Sequence, residues 1–302
     1  MKFKAILALV FIIFSALIQA QTTVYETGQN KMFVFEHTVN RLFSTSTYRV
    51  LRPYDFAFTI GSNFNDSGIE NFNSSIGIGL GGFIELQVKT IPQNFTLINP
   101  GTNESIGGAK IKLFNENVYF PGVSIGAETN FNNVSFAANE SEIQNIFPDE
   151  YDFGLKELRF EANSVKIYGV MTKRVFGTTN ITLGLSYDVV RIQNVYARIE
   201  TSDVRNEKPA SMANINYFGG IDFTINERTK FLFEIFSGTN LLFNLEGRTM
   251  RAKRKTTISV GMRTFMNEWF TIDYGLTYID TFKNWEEIQL RMGLTAFFNL
   301  GI

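Results

Sequence analysis

The chain has 302 residues with 28 Lys plus Arg against 29 Asp plus Glu, a net charge of −1 that gives no bulk electrostatic pull toward nucleic acid or an anionic surface. It has no cysteine, which excludes disulfides, thiolate metal sites and a lipid-modified cysteine. It is 44% hydrophobic, with 31 Phe and 11 Tyr against six Pro, and the aromatics are spread along the whole length at alternating positions, the period of a β-strand.

The N-terminus carries Lys2 and Lys4, an apolar run from Ala5 to Ile18, and then Gln19-Ala20-Gln21-Thr22. That order predicts a secretory signal peptide over 1–20, cleaved after Ala20, since the run is too short for a membrane anchor. Residues 21–53 follow no clear period. They could pair as an extra strand, lie in the periplasm or fold into a barrel lumen as a plug.

From Tyr54 onward the alternation predicts strands at Tyr54 to Gly61, Ser74 to Leu80, Ile84 to Lys89, Ala109 to Phe114, Val123 to Thr129 and Val165 to Arg174. It continues at Asn180 to Val190, Asn214 to Ile225, Lys230 to Phe236, Thr257 to Phe265, Phe270 to Tyr278 and Ile288 to Phe298. The last three show the rule best: Ile258, Val260 and Met262 face one way, while Thr257, Ser259, Gly261 and Arg263 face the other. Short connections at 81–82, 115–120, 176–179, 226–229 and 266–268 alternate with long ones near 62–73, 91–108, 130–164, 191–213, 237–254 and 280–287.

This is the pattern of an all-β, antiparallel up-and-down transmembrane β-barrel of about twelve strands, each about nine to eleven residues long, in the outer membrane of a didermic bacterium. A soluble barrel alternates too, but its outward face should be rich in Lys and Glu. Here the face opposite the apolar one is rich in Gly, Thr and Ser, which suits a crowded, wet lumen. Tyr54, Tyr187, Tyr217, Trp269 and Tyr278 are placed for aromatic girdles. The expected surroundings are outer-membrane lipid and lipopolysaccharide, with delivery by the barrel-assembly machinery. No nucleic-acid partner or cofactor is expected, and the oligomeric state is open.

Several strings resemble hairpins of the exopolysaccharide-associated YjbH-type outer-membrane barrels. They are Ala109 to Phe114 with Pro121 to Gly126, Tyr168 to Arg174 with Ile181 to Tyr187, and Phe218 to Asp222 with Phe233-Glu234. The resemblance covers about residues 45–235 and implies an envelope barrel connected with polysaccharide export or surface assembly.

Chemistry is sparse. The single histidine, His37, precedes the first strand, away from the rim where barrel hydrolases build their sites, so no enzymatic activity is expected. Inward charges are predicted at Glu85, Lys89, Lys110, Lys112, Glu128, Asp222, Glu234, Arg263, Asp273 and Arg291. On the last four strands they alternate in sign, and Glu85 with Lys89 is expected to face Lys110 with Lys112, as an ion-pair lattice or the lining of a small channel. An inward position fits the cost of about 2–4 kcal/mol for a cation on the lipid face at midplane. An acidic stretch (Glu140, Glu142, Asp149, Glu150, Asp152, Glu157, Glu161) and a basic one (Arg248, Arg251, Lys253, Arg254, Lys255) are predicted as solvated external loops, or as the two walls of a pore constriction. The functional expectation is a non-enzymatic barrel, either a small-solute pore or an accessory to polysaccharide export. The alternative is a scaffold with an occluded lumen whose loops bind partners.

Overall fold

The computed structural model describes residues 40–65, 68–92, 103–131, 133–146, 154–175, 178–200, 202–206, 210–244, 249–279 and 288–299. The predicted signal peptide, His37, Asp149, Glu150, Asp152 and Arg248 lie outside them. Among the described residues no helix is long and apolar enough to cross a membrane, so any crossing is made by strands.

The strands in chain order are β1 Asp55–Asn65, β2 Gly68–Leu80, β3 Ile84–Pro92, β4 Asn103–Phe114, β5 Gly122–Asn130, β6 Val134–Ala138 and β7 Leu155–Val175, with helix α1 at Glu140–Ile146. They continue with β8 Thr179–Ile199, β9 Ser202–Asn206, β10 Ala210–Asn226, β11 Thr229–Asn244, β12 Thr249–Asn267, β13 Phe270–Ile279 and β14 Gln289–Asn299. Every pairing is antiparallel, and β1 pairs with both β2 and β14, which closes the ring. β7–β8 pairing completes the circuit, leaving β6 on β7 and β9 on β8 as flanking strands. Twelve strands therefore make the closed barrel, and closure removes the sheet edges that would otherwise expose unpaired backbone.

The distribution of polarity is inverted relative to a soluble protein. Phe58, Ile76, Leu86, Val88, Ile111, Ile125, Ile167, Met171, Leu183, Leu185, Ile215, Leu276 and Leu290 are exposed outward, while Ser75, Gln87, Ser124, Thr172, Thr182, Asn216, Ser259 and Thr277 are buried inside. In lipid that arrangement costs nothing outside and satisfies polar groups inside, which is the physical signature of a transmembrane barrel. On β8 the outward run is Ile181, Leu183, Leu185, Tyr187 and Val189, after which Arg191 and Gln193 take over. Eight residue steps at about 3.3 Å each make an apolar band of roughly 26 Å along the tilted strand. Tyr187 and Tyr217 sit in mid-strand at its upper limit, and Tyr54 and Trp269 at its lower rim, all four exposed.

Strand length departs from the expected nine to eleven residues. β7 and β8 have 21 residues each and β12 has 19. Much of what reads as long loop is strand that continues past the band, because a hydrogen-bonded ladder needs no lipid. β1 and β2 run to Asn65 and from Gly68, through the expected loop at 62–73. Above the band, β6, the upper halves of β7 and β8, and α1 enclose a second core of Phe136, Ile143, Leu155, Leu158, Phe160, Val190, Ile192, Val195 and Ala197. The predicted acidic loop is therefore partly an extramembrane sheet, in which Glu157 and Glu161 face away from the buried Leu158, Phe160 and Ala162. At the opposite rim the connections are tight, and Gly81 and Gly82 hold φ of +61° and +71°, a backbone that favours glycine.

Candidate functional site: a chain segment across the lumen

Residues 40–51 run inside the barrel. The segment first folds on itself: the Leu42 amide donates to the Thr45 carbonyl at 2.9 Å and the Thr47 amide to the Asn40 carbonyl at 3.0 Å. It then leaves along β2, where the Tyr54 amide donates to the Gly79 carbonyl as β1 begins. The glycines of the inner wall make room for it. A Cβ at Gly79 would lie 2.0 Å from the Arg52 carbonyl oxygen, and one at Gly122 would lie 2.3 Å from the Tyr48 ring.

Two groups of wall charges hold the segment. The first is Glu85 and Lys110, directly opposite each other on β3 and β4 and 3.3 Å apart. The Glu85 carboxylate accepts from Asn40 Nδ2 at 3.2 Å and from the Leu51 amide at 3.0 Å, and Lys110 Nζ donates to the carbonyls of Arg49 at 2.6 Å and Asn40 at 3.3 Å. One ion pair thus grips both ends of the segment. Lys110 is only 1% exposed, a burial that a lysine tolerates when its donors are satisfied.

The second group lies across the barrel on β11, β12, β13 and β14. Arg263 and Asp273 form a bidentate pair, both contacts 2.6 Å, and the remaining guanidinium donors reach the carbonyls of Arg41 at 3.0 Å and Leu42 at 2.9 Å. Arg291 donates to Ser44 Oγ at 2.8 Å and the Phe43 carbonyl at 3.1 Å, with its guanidinium 5.2 Å from the Phe43 ring centroid. The Glu234 carboxylate accepts from the successive amides of Ser44 and Thr45 at 2.8 and 2.9 Å and from Thr45 Oγ1 at 3.0 Å. Two adjacent amides aimed at one carboxylate oxygen form a backbone anion nest. Beside the second group Leu42, Phe43 and Leu232 make a small apolar contact.

The other predicted residues form satellites. Asp222 accepts from Asn180 Nδ2 at 2.8 Å and pairs with Lys230 at 3.1 Å, and Arg49 reaches Asn180 Oδ1 at 3.4 Å. Lys89 pairs with Glu128 at 2.6 Å, and Gln87 joins Glu128 to Arg41. Of the expected facing of Glu85 and Lys89 with Lys110 and Lys112, Glu85 opposes Lys110 but Lys89 opposes neither lysine. Lys89 opposes Ile106 in the register and reaches across β4 to β5, while Lys112 sits half-buried nearer the short-turn rim, opposite Ser124. Nor do the last four strands form one continuous ladder. Arg263–Asp273 is the direct pair, and Glu234 and Arg291 turn to the inserted segment. Of the predicted basic run, Arg254 is an exposed side chain that bonds the Ile215 carbonyl and lies over Tyr217, and Lys255 is buried.

The segment's own residues, from Asn40 to Leu51, and the wall positions Tyr168, Thr172 and Ser124 that bond it were not among the predicted site residues. Among the described residues no cluster of three or more His, Asp or Glu is placed to hold a metal.

No family model and no curated protein matches the chain. Similar solved structures include the NanC porin, at 10% identity over 80% of this chain and 98% of that one with a TM-score of 0.45. The KdgM porin in complex with disordered oligogalacturonate is 9% identical over 80% of this chain and 98% of that one, with a TM-score of 0.43. The translocator domain of autotransporter NalP from Neisseria meningitidis is 10% identical over 80% of this chain and 86% of that one, with a TM-score of 0.41.

Proposed function

We propose that this protein is a non-enzymatic outer-membrane barrel that works as a gated diffusion channel for small polar solutes, with residues 40–51 as its gate. The short-turn rim then faces the periplasm and the extended strands face outward. The observation that carries the reading is the division of labour among the lumenal charges. Five of them, Glu85, Lys110, Glu234, Arg263 and Arg291, bind backbone amides and carbonyls of one short segment, so a piece of chain joined by hydrogen bonds, rather than a packed apolar core, occupies the lumen. Hydrogen bonds to charged groups contribute about 1.5–3 kcal/mol each, and water entering the lumen can replace them one at a time.

The same fastening favours a second reading, in which the segment never leaves and the barrel is a scaffold acting through its outer sheet. The resemblance to YjbH-type barrels supports a narrower version of the first, assistance to export of a surface polysaccharide, for which residues 40–51 must vacate the lumen. Planar-bilayer recordings of the full chain against Arg263→Ala and Arg291→Ala separate these readings. A gated channel gives rare discrete openings in the wild type and more frequent ones in both variants. Silence in all three, with the proteins folded and inserted, would establish the scaffold.

A further inference from the structure

The three most exposed large apolar side chains among the described residues are consecutive: Val118, Tyr119 and Phe120, at 84%, 85% and 67%. They stand in the turn at 115–121 that joins β4 to β5 on the short-turn rim. Exposed apolar residues on a loose turn would carry little meaning, but this turn is built. Asn117 Oδ1 accepts the amides of Tyr119 at 2.9 Å and Phe120 at 2.8 Å, and the Asn117 amide closes the turn on the Phe120 carbonyl at 3.1 Å. An Asn side chain that replaces backbone partners in this way fixes a turn locally.

The turn is also drawn to one side. Lys173 Nζ donates to the carbonyls of Asn117 and Val118, and the Glu116 carboxylate accepts the Arg174 amide. Lys173 belongs to the outward face of β7, in line with Val165, Ile167 and Met171. Its ammonium therefore holds the turn across the outer surface of the wall, beside the outward Leu113, Phe114 and Ile125. The three residues stand past the last residues of β4, in a turn tied to the side of the wall that carries the apolar belt.

We infer that this turn is a lipid anchor: Val118, Tyr119 and Phe120 enter the periplasmic leaflet of the outer membrane at the boundary of headgroups and acyl chains. Its ligand is a glycerophospholipid. Tyr119 suits that depth because its ring prefers an apolar contact and its hydroxyl a wet one. Lys173, on the outward face beside the turn, supplies a cation at the level of lipid phosphate. The anchor is independent of whether the lumen opens; it requires only that the barrel sit in a bilayer.

The absence of cysteine makes the test direct. Val118→Cys, Tyr119→Cys and Phe120→Cys are made singly in the full chain, labelled with a nitroxide and reconstituted into vesicles of phosphatidylethanolamine and phosphatidylglycerol. Collision rates are then measured with dissolved oxygen, which concentrates in lipid, and with a water-soluble nickel chelate. Met171→Cys is the lipid-facing reference, and Glu227→Cys, on an exposed turn of the same rim, is the aqueous one. The expected result is an oxygen-to-nickel ratio at 118 and 120 matching Met171→Cys, with 119 between the two references. A ratio matching Glu227→Cys overturns the anchor, as does protection from both reagents, which would mean that a protein surface covers the turn. If Met171→Cys itself behaves as aqueous, the placement of the barrel in lipid fails together with the anchor.

Discussion

Arg263→Ala removes the most heavily used side chain of the lumen, and its effect can be worked from the contacts. The substitution leaves Asp273 buried without its bidentate partner and frees the carbonyls of Arg41 and Leu42. Removing one member of a buried pair typically costs about 3–5 kcal/mol, largely because the other charge stays behind. The lumen can admit water on loss of the side chain, so the lower end applies, about 3 kcal/mol. The double variant Arg263→Ala with Asp273→Ala removes both charges and leaves only the two segment carbonyls to rehydrate, for a loss of about 1 kcal/mol. The expected coupling between the two positions is then about 2 kcal/mol or more. Urea unfolding of the reconstituted protein, followed by tryptophan fluorescence and fitted with a shared slope, measures all four corners of the cycle. If the double variant loses as much as the single one, with coupling below about 0.5 kcal/mol, the reasoning from buried charge is wrong.

Other perturbations separate the inserted segment from the wall. Gly122→Ala places a methyl group against the Tyr48 ring, a side-chain clash with no backbone atom among the nearest contacts, so it should unseat the segment while sparing the barrel. Faster proteolytic cutting within 40–53, with unchanged gel mobility of the folded barrel, is the outcome expected. Leu42→Ala empties a fully buried site against Phe43 and Leu232 and should weaken seating by about 2–3 kcal/mol, read as the same increase in cutting. Phe160→Ala, which removes the ring packed 4.9 Å from Phe136, should loosen the sheet above the band alone. Hydrogen exchange would then rise at 134–146, 154–162 and 190–199 and stay slow at 165–174 and 180–188; uniform acceleration would show that the outer sheet and the barrel are one cooperative unit.

The barrel was legible because lipid outside and water inside impose opposite demands on alternate residues. Ile181, Leu183, Leu185 and Tyr187 against Thr182, Gly184 and Ser186 carry that contrast without ambiguity. Beyond the membrane the contrast reverses meaning. Leu158, Phe160 and Ala162 alternate with Glu157, Arg159 and Glu161 just as regularly, yet the density of carboxylates in that stretch reads as a solvated loop. The sheet there is half-buried against its own helix, and nothing local to its sequence announces a second core. Residues 40–51 were illegible for a different reason. Their amides and carbonyls make many of the contacts with Glu85, Lys110, Glu234, Arg263 and Arg291, and every residue has those groups whatever its side chain. The available signal lay in the wall, in charges of both signs facing a lumen lined by Gly77, Gly79, Gly122, Gly126 and Gly220. Charges need partners, and glycines leave room for them.

As a gate, residues 40–51 must both close the lumen and move out of it. A Cβ at Gly122 lies 2.6 Å from Tyr48 Cγ, near the geometry of a disulfide, so Tyr48→Cys with Gly122→Cys can staple the segment to β5 in a chain that has no other cysteine. Single-channel conductance of this variant is recorded oxidised and then after addition of a reductant to the same bilayer. The channel is expected to be silent while the staple holds and to show discrete openings once it is reduced; equal conductance in both states, or silence in both, would rule out a mobile gate.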